Sequence, residues 1–198
     1  MRYLKHLLTS IKYNRIIQLY LLTVIVIVIA AACEAPPAEE PCDICVDESL
    51  QAFYDENGGA EIFGKPHTPL LVDPNTNQRI QYFDGVRLEY SPNNPSEIMV
   101  GNLGEWAMEG LEEPIEAELP DNAPSRTFPN GYTIQGAFLE FYEANNGEQL
   151  FGDPISEQLN EGLLRVQYFE NVRLEWHPDA PPGRKVQVSF LGRAHYLY

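Results

Sequence analysis

The chain has 198 residues, 44% of them hydrophobic, enough for one globular domain or for two small ones sharing a core. Its formal charge is −16, but four of its thirteen Lys/Arg (Arg2, Lys5, Lys12, Arg15) lie in the first 32 residues, where there is no Asp or Glu, so the remainder sets nine basic against 29 acidic residues, a net −20. A surface of that sign repels nucleic acid and anionic headgroups, and sixteen Pro and fourteen Gly beside 11% aromatics point to many turns around aromatic packing and away from long helices.

In chain order, residues 2–15 are basic and polar, and residues 16–32 are almost wholly apolar. A charged stretch, an apolar stretch and small residues before a cleavage point make a secretory signal, here residues 1–32. Ala30-Ala31-Ala32-Cys33 resembles the lipobox of bacterial lipoproteins, with Ala30 where that family usually has Leu. The resemblance implies diacylation of the Cys33 thiol, cleavage before it, and a chain held on the extracytoplasmic face of a membrane by its lipid. The alternative is an uncleaved anchor: seventeen apolar residues are short for a span, for which about 20 are typical. Either way the rest of the chain lies outside the cytoplasm, because the positive end stays inside.

Residues 33–48 read as an acidic, Pro-rich tether, since Pro and Glu build no core and like charges extend a chain. Within it Cys42 and Cys45 form a lone C-x-x-C. In an oxidising compartment that spacing predicts a local disulfide. A redox role wants a thioredoxin-like βαβ context, and zinc wants two further ligands, neither of which the sequence offers.

The remainder is one unit written twice. The first copy reads LQAFYDENGGAEIFGKPHTP, RIQYFDGVRLEYSP and IMVGNLG; the second reads FLEFYEANNGEQLFGDPISE, RVQYFENVRLEWHP and VQVSFLG. Phe63-Gly64-x-Pro66 matches Phe151-Gly152-x-Pro154, Gln81-Tyr82-Phe83 matches Gln167-Tyr168-Phe169, Val86-Arg87-Leu88-Glu89 matches Val172-Arg173-Leu174-Glu175, and Leu103-Gly104 matches Leu191-Gly192. Order and spacing agree throughout, apart from a two-residue difference before the Gln-Tyr-Phe run.

Each copy predicts the same elements. Residues 48–57 and 136–145 carry aromatics at helical spacing, ended by Asn-x-Gly with Gly in the left-handed position. Phe-Gly-x-Pro makes a corner with an aromatic plug. A hairpin follows, with Asp84-Gly85 as a type I′ turn and Glu170-Asn171 as its counterpart. That turn pairs Tyr82 with Arg87, Gln81 with Leu88 and Ile80 with Glu89, placing Phe83, Val86, Leu88 and Tyr90 on the core face. Ile98–Val100 or Val186–Val188 adds a third strand. The expected fold is α+β: two tandem repeats, each a short helix followed by a three-stranded antiparallel β-meander, packed together because one such sheet buries little. The divisions are repeat 1 over 49–111, with a short helix around Trp106, a linker over 112–131, and repeat 2 over 132–198.

These motifs resemble repeats on secreted and envelope proteins of bacteria that read F-[YW]-x-x-x-G-G-x-x-x-F-G-x-P, V-Q-Y-F-E-x-x-R-L-E-[YW]-H-P and V-x-L-G-x-L-G. More distantly they resemble LGFP-type repeats, with Phe63 and Phe151 in place of Leu and with Lys65 and Asp153 at an apolar position of that family. The resemblance covers roughly residues 50–104 and 128–192. It implies a non-catalytic, envelope-associated module that contacts cell-wall or surface glycan, and it brings no catalytic residues.

A search for chemistry supports that reading. No G-x-S-x-G, H-E-x-x-H or phosphate-binding Gly-rich loop occurs, so no catalytic residue and no cofactor is expected. Asp73-Pro-Asn75-Thr-Asn77 imitates the start of a calcium loop, but Gln78 stands where Gly is needed, and a polar hairpin turn is expected with no metal. His67, His177 and His195 occupy no matching places, and surface histidines of that kind are ordinarily solvated. Glu89 and Glu175 are retained in both copies, as a pair of glycosidase carboxylates would be. Each nevertheless sits two residues from Arg87 or Arg173 on one strand face, where a charge ladder with Tyr82 or Tyr168 is the simpler role. The same ladder supplies the candidate ligand patch, Tyr82, Arg87, Glu89, Tyr168, Arg173 and Glu175, since rings and planar donors beside carboxylates suit pyranoses. The expectation is a lipid-anchored, non-enzymatic surface module with a binding or display role, towards cell-wall or surface glycan first. The alternatives are a protein-interaction subunit of an envelope assembly and a glycan hydrolase.

Overall fold

In the computed structural model the described residues are 42–109, 111, 115–118 and 122–198. The stretch read as a signal (1–32), Cys33 and the stretch read as a tether up to residue 41 lie outside them. Asp43–Tyr198 cluster into one compact unit of mixed α+β structure with antiparallel sheets.

The first half runs α1 (Glu48–Glu56), α2 (Gly59–Ile62), β1 (Leu71–Val72), β2 (Arg79–Tyr82), β3 (Arg87–Tyr90), β4 (Ile98–Val100) and α3 (Leu103–Met108). A hairpin, β5 (Ser125–Thr127) and β6 (Thr133–Gln135), leads into α4 (Ala137–Ala144), α5 (Gly147–Leu150), β7 (Leu159–Glu161), β8 (Leu164–Tyr168), β9 (Arg173–Trp176), β10 (Val186–Val188) and α6 (Leu191–Leu197). Each half holds a four-stranded meander where three strands were expected. The additional strands, β1 and β7, place Leu71 opposite Ile80 and Leu159 opposite Val166. The polar run from Asp73 is the turn it was expected to be: Asp73 Oδ1 accepts the Asn75 N–H at 2.8 Å, and Asn77 turns left-handed at φ 58°. That turn folds Leu71–Val72 back onto β2, and no periodicity could mark a strand of two residues.

The register of the central hairpin is as expected, with Tyr82 opposite Arg87 and Tyr168 opposite Arg173. The turn type is not. Gly85 has no positive φ, so the turn is not type I′, which needs φ above zero at both central residues. Its shape is set by docking: Gly85 N–H donates to Phe63 O at 3.0 Å, and Asn171 N–H donates to Phe151 O at 3.0 Å. A side chain at this position therefore carries no backbone penalty, which is why Asn171 serves as well as Gly85. Positive φ is required at the corner instead, at Gly64 (80°) and Gly152 (77°). There the carbonyl oxygens accept hydrogen bonds from Tyr54 Oη at 2.9 Å and Tyr142 Oη at 3.2 Å, while Phe63 and Phe151 are buried as plugs. After the first helix of the first half both Gly58 (φ 91°) and Gly59 (φ 52°) are left-handed, the latter where Asn-x-Gly predicts it, whereas in the second half the left-handed residue is Asn146, one position earlier than predicted.

Two boundaries move. The fold begins before residue 48: Gln81, fully buried, donates to Cys45 O at 2.8 Å and Thr68 O at 2.7 Å and accepts the Asp47 N–H at 2.9 Å. Asp47 in turn caps α1 through the Ser49 N–H. The stretch read as a linker ends in structure, because β5 pairs with β6 and Phe128 is buried edge-on against Tyr142, with ring centroids 5.7 Å apart. Glu116 also bridges to Leu159, covering the open edge of β7.

The sheets share one core, in which Phe63, Phe83, Val86 and Leu88 join Phe151, Phe169, Val172 and Leu174. The halves are further joined by crossed helices. Glu105 N–H, at the start of α3, donates to Glu170 O in the second half's hairpin turn at 3.1 Å. Arg193 N–H, at the start of α6, donates to Asp84 O in the first half's turn at 3.0 Å. Each contact is made possible by glycine. A Cβ at Gly104 would overlap the Phe169 carbonyl oxygen and lie 2.7 Å from that of Val172. A Cβ at Gly192 would overlap the Phe83 and Val86 carbonyl oxygens.

Candidate functional site

The helices α3 and α6 decide what the outer faces of the two sheets can do. Alternation sends Tyr82, Arg87 and Glu89 to one outer face and Tyr168, Arg173 and Glu175 to the other, as expected. Neither tyrosine is free, however: Tyr82 is 7% exposed and Tyr168 is 1% exposed. An open platform of these two rings is therefore not formed, because the crossed helices cover them.

Over the first half, His195 stacks on Tyr82 (centroids 5.6 Å apart, planes at 22°) and its Nδ1 is hydrogen-bonded to Tyr82 Oη at 2.9 Å. Tyr196 lies against the same ring, and Trp106 meets the His195 ring edge-on at 4.8 Å. Arg87 pairs with Glu89 at 2.9 Å. Counted from the Leu-Gly that opens each helix, His195 corresponds to Ala107. Over the second half that smaller residue packs with Met108 and Leu111 against the Leu159, Val166 and Tyr168 cluster.

Beside Ala107 a cleft of about 1010 Å³ opens. Its floor includes Tyr168, Arg173 and Glu175, joined there by Glu161 and His177. Tyr82, Arg87 and Glu89 are not among the residues lining it, so the two retained glutamates do not meet. The floor is one connected ladder. Tyr168 Oη donates to Glu161 Oε1 at 2.7 Å, and Arg173 Nη1 donates to Glu161 Oε2 at 2.9 Å and to Tyr168 Oη at 3.3 Å. Arg173 Nη2 reaches Glu175 Oε1, Nε reaches Ser189 Oγ at 3.1 Å, and His177 Nε2 lies 3.0 Å from Glu175 Oε2. Burial opposes the charge on Arg173, but Tyr168 and Glu175 outweigh it and raise its pKa. Burial, partly offset by Arg173, pushes the Tyr168 hydroxyl up to about 12. The walls are apolar and aromatic, from Trp106, Phe190 and Tyr198.

No known family model matches the chain, and no curated protein matches it.

Glu161, Trp106, Phe190 and Tyr198 were not foreseen as site residues: the first two and Tyr198 lie outside the runs shared by the two copies, and Phe190, inside one, is matched by Asn102. His177, aligned with the buried Ser91, could have been found by asking where the copies differ. The three described histidines all have side-chain partners, where solvated rings were expected: His67 with Asp84, His177 with Glu175, and His195 with Tyr82. Cys42 and Cys45 are each disulfide-bonded. Among the described residues no cluster of His, Cys, Asp and Glu could hold a metal ion, and no helix is long and apolar enough to cross a membrane.

The covering of Tyr82 carries a pH signature. Burial, and then the charge of Arg87, lower the pKa of His195 below its ordinary 6.5. The unfolded chain thus binds this proton at a higher pH than the folded chain. Acid draws the equilibrium towards unfolding as pH falls from about 6.5 through the folded value. Urea titrations of the His195→Phe variant are expected to show a flatter dependence of stability on pH in that window than the parent; an equal slope would remove His195 as its source.

Proposed function

We propose that this chain is a non-enzymatic surface lipoprotein, held through Cys33 on the extracytoplasmic side of a membrane, whose folded unit is a duplicated scaffold that binds glycan in the cleft of its second half. The observation that carries the binding reading is the composition of that cleft: flat apolar side chains stand beside a floor of planar, charged hydrogen-bonding groups, the combination that a pyranose ring and its hydroxyls use.

Duplication is supported by matched registers, matched Phe-Gly corners and the reciprocal docking of α3 and α6. The non-enzymatic reading draws support from the same residues. The side chains common to both halves build turns, plugs and core, apart from the Tyr, Arg and Glu of each outer face, where the arginine pairs with the glutamate. The carboxylates of the retained pair, Glu89 and Glu175, each face an arginine on a separate sheet, and the two that share the cleft floor, Glu161 and Glu175, are both tied to Arg173, whereas a glycosidase holds its two carboxylates on either side of one bond.

The test is retention of the protein by purified cell wall and by immobilised oligosaccharides. Binding is expected to weaken about tenfold on combining Tyr198→Ala, in the wall, with His177→Ala, in the floor, with circular dichroism unchanged. Retention unaffected by that pair, or no retention on any glycan, would overturn the reading. Palmitate labelling tests the anchor, and Cys33→Ser is expected to abolish it.

One observation favours a protein partner instead: Phe190 (65% exposed) and Tyr198 (100%), which line the cleft, and Leu197 (72%), next to Tyr198 in the chain, are large apolar side chains left exposed. Stable co-purification with one envelope protein, sensitive to Leu197→Ser and indifferent to added glycan, would replace the glycan reading with that one.

A further inference from the structure

Resting on the glycan reading, we infer that the sugar this cleft takes carries a free, cationic amino group. The argument concerns which hydrogen-bonding capacity the floor has left. A guanidinium has five N–H donors in a fixed fork. In Arg173 four acceptors already face that fork: Ser189 Oγ, Tyr168 Oη, one oxygen of Glu161 and one of Glu175. The single strong cation of the cleft is occupied.

The acceptors are not. A carboxylate offers about four lone-pair positions. Glu161 and Glu175 each use one per oxygen, on Tyr168 and Arg173 for the first and on Arg173 and His177 for the second. Glu109, exposed at the end of α3, adds a third carboxylate to the lining. The lining thus sets three carboxylates against one guanidinium, and the charged capacity that remains open accepts hydrogen bonds and is negative in sign.

An ammonium group fits this: it has three donors and no acceptor, and it is attracted to the faces of indole and phenol rings such as those of Trp106 and Tyr198 in the walls. The net −20 outside the first 32 residues raises the local concentration of cations before contact is made. An acidic or sulfated glycan meets the opposite conditions, repelled by the carboxylates and finding no free guanidinium. A fully N-acetylated sugar offers one amide N–H in place of the charge.

Calorimetric titration of the full chain with glucosamine oligomers, with N-acetylglucosamine oligomers of the same length, and with spermidine tests this at two salt concentrations. The amine-bearing sugar is expected to bind about tenfold tighter than its acetylated counterpart, with an affinity that falls as salt rises. Glu109→Gln is expected to weaken that binding several-fold, while Glu56→Gln, on the exposed face of α1 away from the cleft, leaves it unchanged. Equal losses in the two variants would mean diffuse attraction to an acidic surface and would overturn the inference. Tighter or equal binding of the acetylated oligomer would overturn it while leaving the glycan reading in place. Spermidine binding as tightly as the amino sugar would keep the amine and discard the glycan. Binding of none of the three would sink both.

Discussion

Replacing Gly192 with valine is expected to unfold the chain or to cost more than about 4 kcal/mol, beyond the ordinary range of single substitutions. The reason is the identity of the neighbours. Overpacking against side chains costs about 1–3 kcal/mol, because side chains can turn aside. At Gly192 a Cβ meets the Phe83 and Val86 carbonyl oxygens, and it would lie 2.8 Å from the Val86 carbonyl carbon. These atoms belong to the hairpin turn whose Phe83 N–H and Val86 O are hydrogen-bonded to each other at 2.8 Å. The turn cannot retreat without giving up that bond and drawing Phe83 out of the core. Gly104→Ala is expected to act likewise on the Phe169–Val172 turn, whose corresponding bond is 2.9 Å. Denaturant melts of both variants provide the check. Loss of less than about 1 kcal/mol in each would show that the crossed helices contribute little to stability.

Arg173→Ala is expected to cost about 2–3 kcal/mol. Removing one partner of a fully buried ion pair costs about 3–5 kcal/mol through the charge left behind. The lower value applies here because the Arg173, Glu161 and Glu175 side chains retain 23%, 28% and 13% exposure. Most of the loss is the cost of two carboxylates facing each other without a cation. Adding Glu161→Gln and Glu175→Gln to Arg173→Ala is therefore expected to recover more than half of it. The measurement is the chemical denaturation midpoint of the three proteins at neutral pH. If the triple variant is less stable than Arg173→Ala alone, unpaired charge is not the cause. The contribution would then lie in how the guanidinium packs beside the Tyr168 ring, 5.7 Å from its centroid.

Much of this architecture could be read from the chain because side-chain period and turn length together fix a hairpin. Two residues between Phe83 and Val86, with alternation on either side, determine that Tyr82 meets Arg87. The turn type was misread because Asp-Gly is a local signal, whereas Gly85 takes its conformation from the Phe63 carbonyl it docks on. Leu71–Val72 escaped notice because two residues have no period.

The site was less legible, for a related reason. Alternation says that Tyr82 and Tyr168 leave the core face, but not that a second layer waits on the other side. A clue lay in the aromatic content of both faces, since Tyr82 and Tyr90 fall on opposite sides of the same sheet and both are buried. Leu103-Gly104 and Leu191-Gly192 were visible as a match, yet nothing local states that each helix reaches the other copy's turn. Comparing the copies for agreement drew attention to scaffold. The cleft keeps the shared Tyr168, Arg173 and Glu175 in its floor, but it opens where the copies disagree, at Ala107 against His195 and at His177 against Ser91.

The crossing of α3 and α6 bears on how such a unit arises. A single half has a helix with no turn of its own to rest on, and a turn left bare. Two separate copies could satisfy one another only as a symmetric pair, and in such a pair any mutation alters both faces at once: both would be stoppered, or both open. Joining the copies in one chain removes that constraint. One face can then be sealed with a stacked imidazole while its counterpart stays vacant. A tethered pair of unequal halves can thus close one face and keep a cleft on the other, an asymmetry that a dimer of identical chains cannot make.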